Sequence, residues 1–370
     1  MPEGTQRGKL KIFFGAFPGA GKTDAMLGAA RRMKEAGRDV VIGVLDLHGK
    51  DEDPALAAGF EGLPQAEREL SLDAALARSP EVLLIDDLAH SNPPGSRHPK
   101  RWNDVDELLG AGIDVYTTMS VQHLASLNDV VAEITGIPEP ETVPDTFFDT
   151  ADETIMVDMS ADELLARLKE GQVPVGHVNQ GPAGLLFRKG SLLALREIAL
   201  RRVADVVEDE VQRYRADKAI KQTWKTHGRM LVCIGPEPGA EHVVRSAARL
   251  AGQLDEDWTA VYVETPTLQR MDAAERGHIL AVVGLAEQLG ARTAILTGNS
   301  VPEAIVEYAR DHNISTIALG RTTSAPLPFQ ATMIEAISAA GPDLDLVEIG
   351  RGEAGTAIPD RKSTRLNSSH

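Results

Sequence analysis

Short apolar runs alternate along the chain with longer stretches in which apolar residues recur at the spacing of a helix. Runs of this kind are typical of buried strands in a parallel sheet, and the amphipathic stretches are typical of helices that cover it. Strands that are repeatedly separated by helices predict an α/β fold with a parallel sheet. In the first half, the strands are predicted at 11–14, 40–45, 82–85 and 113–118.

A long helical pattern from Leu192 to about Trp224 ends the first half, and the alternation then restarts. We therefore expect two domains, 9–225 and 226–359, after a polar start at 1–8 that is expected to be disordered. The second is predicted to be a smaller doubly wound α/β domain. Its strands are predicted at 230–235, 259–263, 293–296, 316–319 and 344–349.

The strongest chemical motif is AFPGAGKT at 16–23, between the first predicted strand and a helix over 24–33. The pattern predicts a phosphate-binding loop, in which the backbone N–H groups and the helix N-terminus face a nucleotide phosphate. Lys22 is expected to reach the outer phosphates, and the Thr23 hydroxyl is expected to bind Mg²⁺. The alternative is a Gly-rich turn without a ligand. The candidate nucleotide-binding residues of the loop are Gly19, Ala20, Gly21, Lys22 and Thr23.

A second motif, VLLIDD at 82–87, places two acids directly after an apolar strand. Asp86 is the candidate partner of Thr23 at Mg²⁺, and Asp87 is a candidate catalytic residue that orients or activates water. Strands that end in two acids are common, so this assignment depends on the loop upstream. Further polar residues follow strands at 46–50 and 120–123, at the sheet edge where ligands of parallel sheets bind.

The segment 89–102, AHSNPPGSRHPKRW, is basic in an otherwise acidic chain and is stiffened by proline. Two alternatives are open: it contacts phosphate or acts as a switch, or its charges pair with the acidic body. His90 and His98 do not by themselves make a zinc site, so no metal other than Mg²⁺ is expected there.

Composition limits the ligands and the cellular location that can be expected. The net charge of −17 over 370 residues argues against nonspecific binding to nucleic acid or anionic lipid. The single cysteine, Cys233, is expected to be a buried strand thiol, which fits a reducing cytosol. No stretch approaches the roughly 18 apolar residues of a membrane span, so a soluble, cytoplasmic region is expected.

Residues 8–220 closely resemble the N-terminal cytoplasmic region of the KdpD family, the osmosensitive potassium-channel sensor histidine kinases. The resemblance is carried by GAFPGAGKT, by the long block DDLAHSNPPGSRHPKRWNDVDELLGAGIDVYTT, and by VQHLASLNDVV and FRKG. The second half resembles the universal stress protein domain that follows in that family.

This resemblance implies an ATP-binding regulatory input region of a two-component sensor kinase that controls potassium-uptake genes under potassium limitation or osmotic stress. ATP and Mg²⁺ are the implied cofactors. The implied partners are the family's membrane and histidine-kinase domains, a second copy in the full-length dimer and a response regulator. The second domain is a candidate for binding a stress protein or a cyclic dinucleotide. The alternatives are a free-standing P-loop ATPase or kinase and a pure interaction module.

The chain departs from the family pattern at several points. Asp87 stands where Glu is usual, which predicts slow hydrolysis at most, and Ser120 stands where Asn is common. The segment 320–324 lacks a glycine of the nucleotide-binding stress proteins. No membrane segment, phosphoacceptor-histidine helix or kinase domain is recognised, and 360–370 is interpreted as an artefactual tail.

Overall fold

The computed structural model describes residues 6–45, 57–64, 69–136, 138–171, 173, 185–220, 222–224, 228–237, 239–254, 256–266, 273–321 and 332–350. The chain forms two compact units, Met1–Asp209 and Glu210–His370. The predicted polar cluster at 46–50, the positions 322–324 and the tail at 360–370 lie outside the described residues.

The first unit is built on a parallel sheet with the strand order β3-β2-β4-β5-β1-β6. Alternation along the strands sends side chains to two cores, with Ile12 and Phe14 in one and Phe13 in the other. A sheet covered on both faces explains why its central strands are apolar runs rather than alternating patterns. The strands are β1 (Leu10–Gly15), β2 (Val40–Val44), β3 (Glu61–Gly62), β4 (Val82–Ile85), β5 (Asp114–Ser120) and β6 (Glu153–Val157).

The helices of this unit follow the strands, as the α/β prediction requires. They are α1 (Lys22–Glu35), α2 (Leu72–Arg78), α3 (Arg101–Gly110), α4 (Asn128–Thr135), α5 (Asp145–Phe148), α6 (Ala161–Lys169) and α7 (Lys189–Asp217). Two short 3₁₀ turns, Val121–His123 and Ala125–Leu127, lie between β5 and α4. Ser160 caps α6, because its hydroxyl accepts a hydrogen bond from the Glu163 N–H at 3.1 Å.

The second unit is a separate parallel sheet in the order β11-β10-β7-β8-β9. Its strands are β7 (Arg229–Cys233), β8 (Asp257–Glu264), β9 (Arg292–Thr297), β10 (Thr316–Gly320) and β11 (Asp345–Ile349). Its helices are α8 (Ala240–Leu254), α9 (Ala273–Gln288), α10 (Val301–Asp311) and α11 (Met333–Ala340). The predicted architecture, two parallel α/β sheets with the smaller second, is confirmed.

Three boundaries differ from those expected. Residues 6–8 were expected to belong to a disordered start, but they are described, and Gly8 is buried and donates to the Leu109 carbonyl at 2.8 Å. Helix α7 ends at Asp217, and Ala219 follows with φ of 49°. The units divide inside α7 rather than at 226, since Arg215 near its end is 3% exposed and donates to the Arg310 carbonyl of the second unit at 2.9 Å.

Candidate functional site

The predicted phosphate-binding loop joins the end of β1 to the start of α1. Gly19 and Gly21 both adopt left-handed backbone conformations, with φ of 82° and 89°, which L side chains rarely adopt. Gly19 has a second constraint, because a Cβ there would lie 2.6 Å from Cγ1 of Val173. Gly21 caps α1, and Ala20 is buried at 4% exposure. The two glycines therefore set the turn that presents the N-terminus of α1.

Lys22 and Thr23 are the first two residues of α1. The Thr23 hydroxyl donates to Oδ2 of Asp86 at 3.0 Å. The Lys22 ammonium instead turns back onto its own loop and donates to the Phe17 carbonyl at 3.1 Å. The structure thus brings together the two residues that the sequence assigned to Mg²⁺, with the lysine beside them.

Asp86 follows β4 directly and is 3% exposed. Its Oδ1 accepts hydrogen bonds from the hydroxyl of Thr118, on the neighbouring strand β5, and from the Asp87 N–H at 3.2 Å. The carboxyl ends of β1, β4 and β5 meet here because β5 lies between the other two.

The charges at this edge are partly desolvated. Burial lowers the pKa of Lys22 from 10.5 to about 8, against the attraction of Asp86 and Asp87. Burial also raises the pKa of Asp86, although hydrogen bonds from Thr118 and Thr23 act in the opposite direction. A ligand with complementary charges would therefore interact strongly here.

Asp87, the candidate catalytic acid, is half-buried and has φ of 54°, in the left-handed region. Its N–H donates to the Thr118 hydroxyl at 3.0 Å. The chain turns sharply at this residue, so the two side chains have different neighbours. The Asp86 carboxylate lies against Thr23, and the Asp87 carboxylate lies near His90.

Most charges of the basic segment 89–102 pair with acids of the protein body. Arg97 forms ion pairs with Asp73 and Glu107, and His98 lies 2.7 Å from a Glu107 carboxylate oxygen. The structure supports the second of the two alternatives for these side chains, because they are already engaged by carboxylates.

Arg101 is different from the other basic residues of the segment. It begins α3, is 2% exposed, and donates from one guanidinium nitrogen to the carbonyls of Asp86 at 2.9 Å and Asp87 at 3.1 Å. The sequence did not distinguish it from the other basic residues of the segment, and only the folded segment shows its contact with the backbone carbonyls of the two acids.

Ser120 and Gln122, two of the polar residues that follow β5 at the edge where ligands were expected, are both largely buried. The Gln122 amide donates to a Glu139 carboxylate oxygen at 2.7 Å. Nearby, Asp87, His90 and Glu141 each place one potential ligand atom within 4.8 Å of the others. His90 also contacts Glu69, at 2.9 Å. Sequence spacing could not reveal this cluster, since its members come from separate segments.

In the second unit, Cys233 lies on β7, and burial raises the pKa of its thiol to about 12. That value fits a packed thiol rather than a nucleophile. At the expected ligand segment, only Gly320 and Arg321 are among the described residues. Within the described part of the chain, no helix has the length and apolar character needed to cross a membrane.

A family model described as the osmosensitive K⁺ channel His kinase sensor domain, KdpD, matches residues 6–207. The chain belongs to the KdpD family. The matched range contains the loop 16–23, both acids after β4 and the whole basic segment, so the candidate site lies within the sensor domain of a KdpD protein.

Several curated KdpD proteins are similar to the chain. The sensor protein KdpD of Escherichia coli (strain K12) is 49% identical over 355 residues, which cover 94% of this chain and 40% of that protein. The KdpD of Mycobacterium tuberculosis (strain H37Rv) is 41% identical over 325 residues, or 37% of its length. A putative KdpD of Synechocystis sp. (strain PCC 6803) is 37% identical and is covered over 95% of its length. The chain therefore spans about two fifths of the E. coli and M. tuberculosis relatives.

Solved structures that resemble the chain include universal stress proteins. One from Archaeoglobus fulgidus is matched over 33% of this chain and 93% of its own, at 18% identity and a TM-score of 0.26. Another, in complex with cAMP, is 14% identical with a TM-score of 0.28. Similarity this weak does not extend the ligand of either protein to this KdpD chain.

Proposed function

We propose that the first unit binds Mg·ATP at the loop 16–23 and thereby acts as the regulatory input of a KdpD-type two-component sensor histidine kinase that controls potassium-uptake genes. The observation that carries this proposal is the 3.0 Å hydrogen bond between the Thr23 hydroxyl and the buried Asp86 carboxylate. The two groups belong to the two motifs that phosphate-loop proteins use for Mg²⁺, and they are 63 residues apart in sequence.

The donor set fits Mg²⁺. A hydroxyl and a carboxylate are hard oxygen ligands, and Mg²⁺ is usually bound by few protein oxygens together with substrate phosphates. Thr23 and Asp86 would hold the ion, which would neutralise charge on the phosphates. Lys22 would leave the Phe17 carbonyl and bind the outer phosphates. Their negative charge would stabilise the ammonium, which burial disfavours in the protein without ligand.

The regulatory part of the proposal depends on the family. In a full-length protein, the unit would be joined to membrane and histidine-kinase domains, would be dimeric and would act through a response regulator. ATP would favour one of two arrangements of the Asp86 turn, the segment 90–102 and Ser120–Gln122, and α7 would transmit the difference. Such a shift requires ATP to bind the two states with different affinities.

Titration calorimetry of the whole chain with ATP and Mg²⁺ tests the binding proposal. Lys22→Ala is expected to weaken ATP binding at least tenfold, whereas Lys9→Ala, which removes an exposed lysine of the same unit, should leave it unchanged. Equal affinities of the wild type and Lys22→Ala, or no binding by the wild type, would refute the proposal.

Steady-state hydrolysis separates a sensor from the second candidate, a free-standing ATPase. Asp87 has a shorter side chain than Glu and is turned toward His90, so slow turnover at most is expected. Turnover well above one per second by the chain alone, in the range of ordinary enzymes, would favour the ATPase.

A further inference from the structure

The turn at Asp86–Asp87 is held in an unfavourable conformation. Asp87 has φ of 54°, a left-handed conformation that is less favourable for a residue with a side chain than for glycine. Such conformations persist where the surroundings fix them. At Asp87 they include the Thr118 hydroxyl, which accepts from the Asp87 N–H at 3.0 Å.

A second constraint on this turn comes from Arg101. One of its nitrogens donates to the carbonyl oxygens on both sides of the turn, those of Asp86 and Asp87, at 2.9 and 3.1 Å. The guanidinium is 2% exposed, and a buried charge is costly unless it is well hydrogen-bonded. The two carbonyls therefore offset part of the cost of burying Arg101 while they keep this orientation.

The fold returns Arg101 to this position by closing the segment between β4 and α3 on itself. Ser91 and Lys100 form an antiparallel bridge, and the Arg101 N–H donates to the His90 carbonyl at 3.0 Å. On its other side, the guanidinium lies 3.3 Å from a carboxylate oxygen of Glu69. The side chain is thus fixed at both ends.

We propose that Arg101 is a positioning residue of the Mg·ATP site, which holds the Asp86–Asp87 turn so that the Asp86 carboxylate faces the Thr23 hydroxyl. The inference rests on the proposed function. Arg101 touches neither Thr23 nor Lys22 and acts through the backbone of the turn, so its loss should affect the Mg²⁺ ligand rather than the phosphate-binding loop.

The test compares ATP affinity with Mg²⁺ and with EDTA, in the whole chain. Arg101→Met removes the nitrogen that donates to both carbonyls, while nearly filling the space. We expect ATP affinity in EDTA to stay within about twofold of the wild type, and the gain on adding Mg²⁺ to fall at least tenfold. Arg78→Met is the control, because Arg78 makes ion pairs with Asp39 and Glu61 in the same unit but does not contact the turn.

A rescue separates positioning from general damage. Glycine adopts a left-handed conformation without the penalty, so Asp87→Gly in the Arg101→Met background should restore at least part of the lost Mg²⁺ effect. A merely destabilised protein would lose affinity in EDTA as well and would not be rescued. If Arg101→Met does not fold, Arg101→Lys is measured with the same two affinities and the same rescue.

The outcomes are distinct. A wild type that binds no ATP overturns the proposed function and the role of Arg101 with it. A wild type that binds ATP with a Mg²⁺ gain that Arg101→Met retains overturns the role of Arg101 alone. Parallel losses with and without Mg²⁺, unaffected by Asp87→Gly, also overturn it.

Discussion

Replacing Lys22 with methionine is expected to stabilise the nucleotide-free protein, although it removes the side chain on which ATP binding is proposed to depend. Burial holds the pKa of Lys22 at about 8, below the 10.5 of a solvated lysine. The folded state therefore disfavours the charged ammonium, and at neutral pH the protein bears that cost. Methionine has a similar length and carries no charge.

The size of the effect follows from the pKa. Each pKa unit corresponds to about 1.4 kcal/mol, so the fall from 10.5 to about 8 is on the order of 3 kcal/mol against the charged form. That lowering already includes the attraction of Asp86 and Asp87. The hydrogen bond to the Phe17 carbonyl, worth about 1 kcal/mol, is also lost, and partial exposure of Lys22 reduces the cost further. We expect a net gain of about 1–2 kcal/mol.

The stability advantage of Lys22→Met should depend on pH. Because the folded pKa is lowered, the cost is fully present below about pH 8 and disappears as the pH rises through 10.5. The stability advantage of Lys22→Met should therefore be greatest at neutral pH and should shrink between these two values. Lys9→Met, at an exposed lysine, should show no such advantage.

Urea unfolding at several pH values measures this difference. Of the three tryptophans of the chain, Trp102 packs against Phe147 in the first unit, with ring centroids 5.3 Å apart. Replacing Trp224 and Trp258, which lie in the second unit, by phenylalanine leaves Trp102 as the reporter. The reasoning is refuted if Lys22→Met is no more stable than the wild type near pH 7, or if its advantage persists unchanged at pH 10.5.

Three further changes should alter stability in ways that urea unfolding measures. Gly19→Ala should destabilise more than Gly21→Ala, because both have φ above 80° but only Gly19 lies against Val173; equal losses would contradict this. Ser160→Ala should cost about 1 kcal/mol by removing the cap of α6, and no loss would mean that the hydrogen bond contributes nothing. Arg215→Met should destabilise the second unit by about 1–3 kcal/mol, because it removes the hydrogen bonds from a buried guanidinium to the Gln222 and Arg310 carbonyls, and Trp224 fluorescence should report the loss.

Much of the fold follows from local sequence patterns. Central strands of a parallel sheet are continuous apolar runs because both faces are covered, so β1, β4 and β5 were predictable from short windows. The strand β6, by contrast, pairs with β1 at the sheet edge and is at most half-buried. Its residues therefore carry no clear apolar run, and the sequence predicts no strand there.

In the candidate site, too, local sequence patterns predict some contacts and not others. Thr23 and Asp86 each stand at the end of a strand-linked motif, and parallel strands bring such ends to one edge, so their meeting could be expected from sequence. Arg101 stands in a run of charges in which its neighbours Arg97 and Lys100 are half-exposed or exposed at the surface. Nothing in the run identifies Arg101 as the buried residue, because its burial depends on the bridge between Ser91 and Lys100. Since the bridge returns the chain to β4 immediately before α3, the first residue of that helix, rather than any other basic residue of the segment, meets the two carbonyls of the turn.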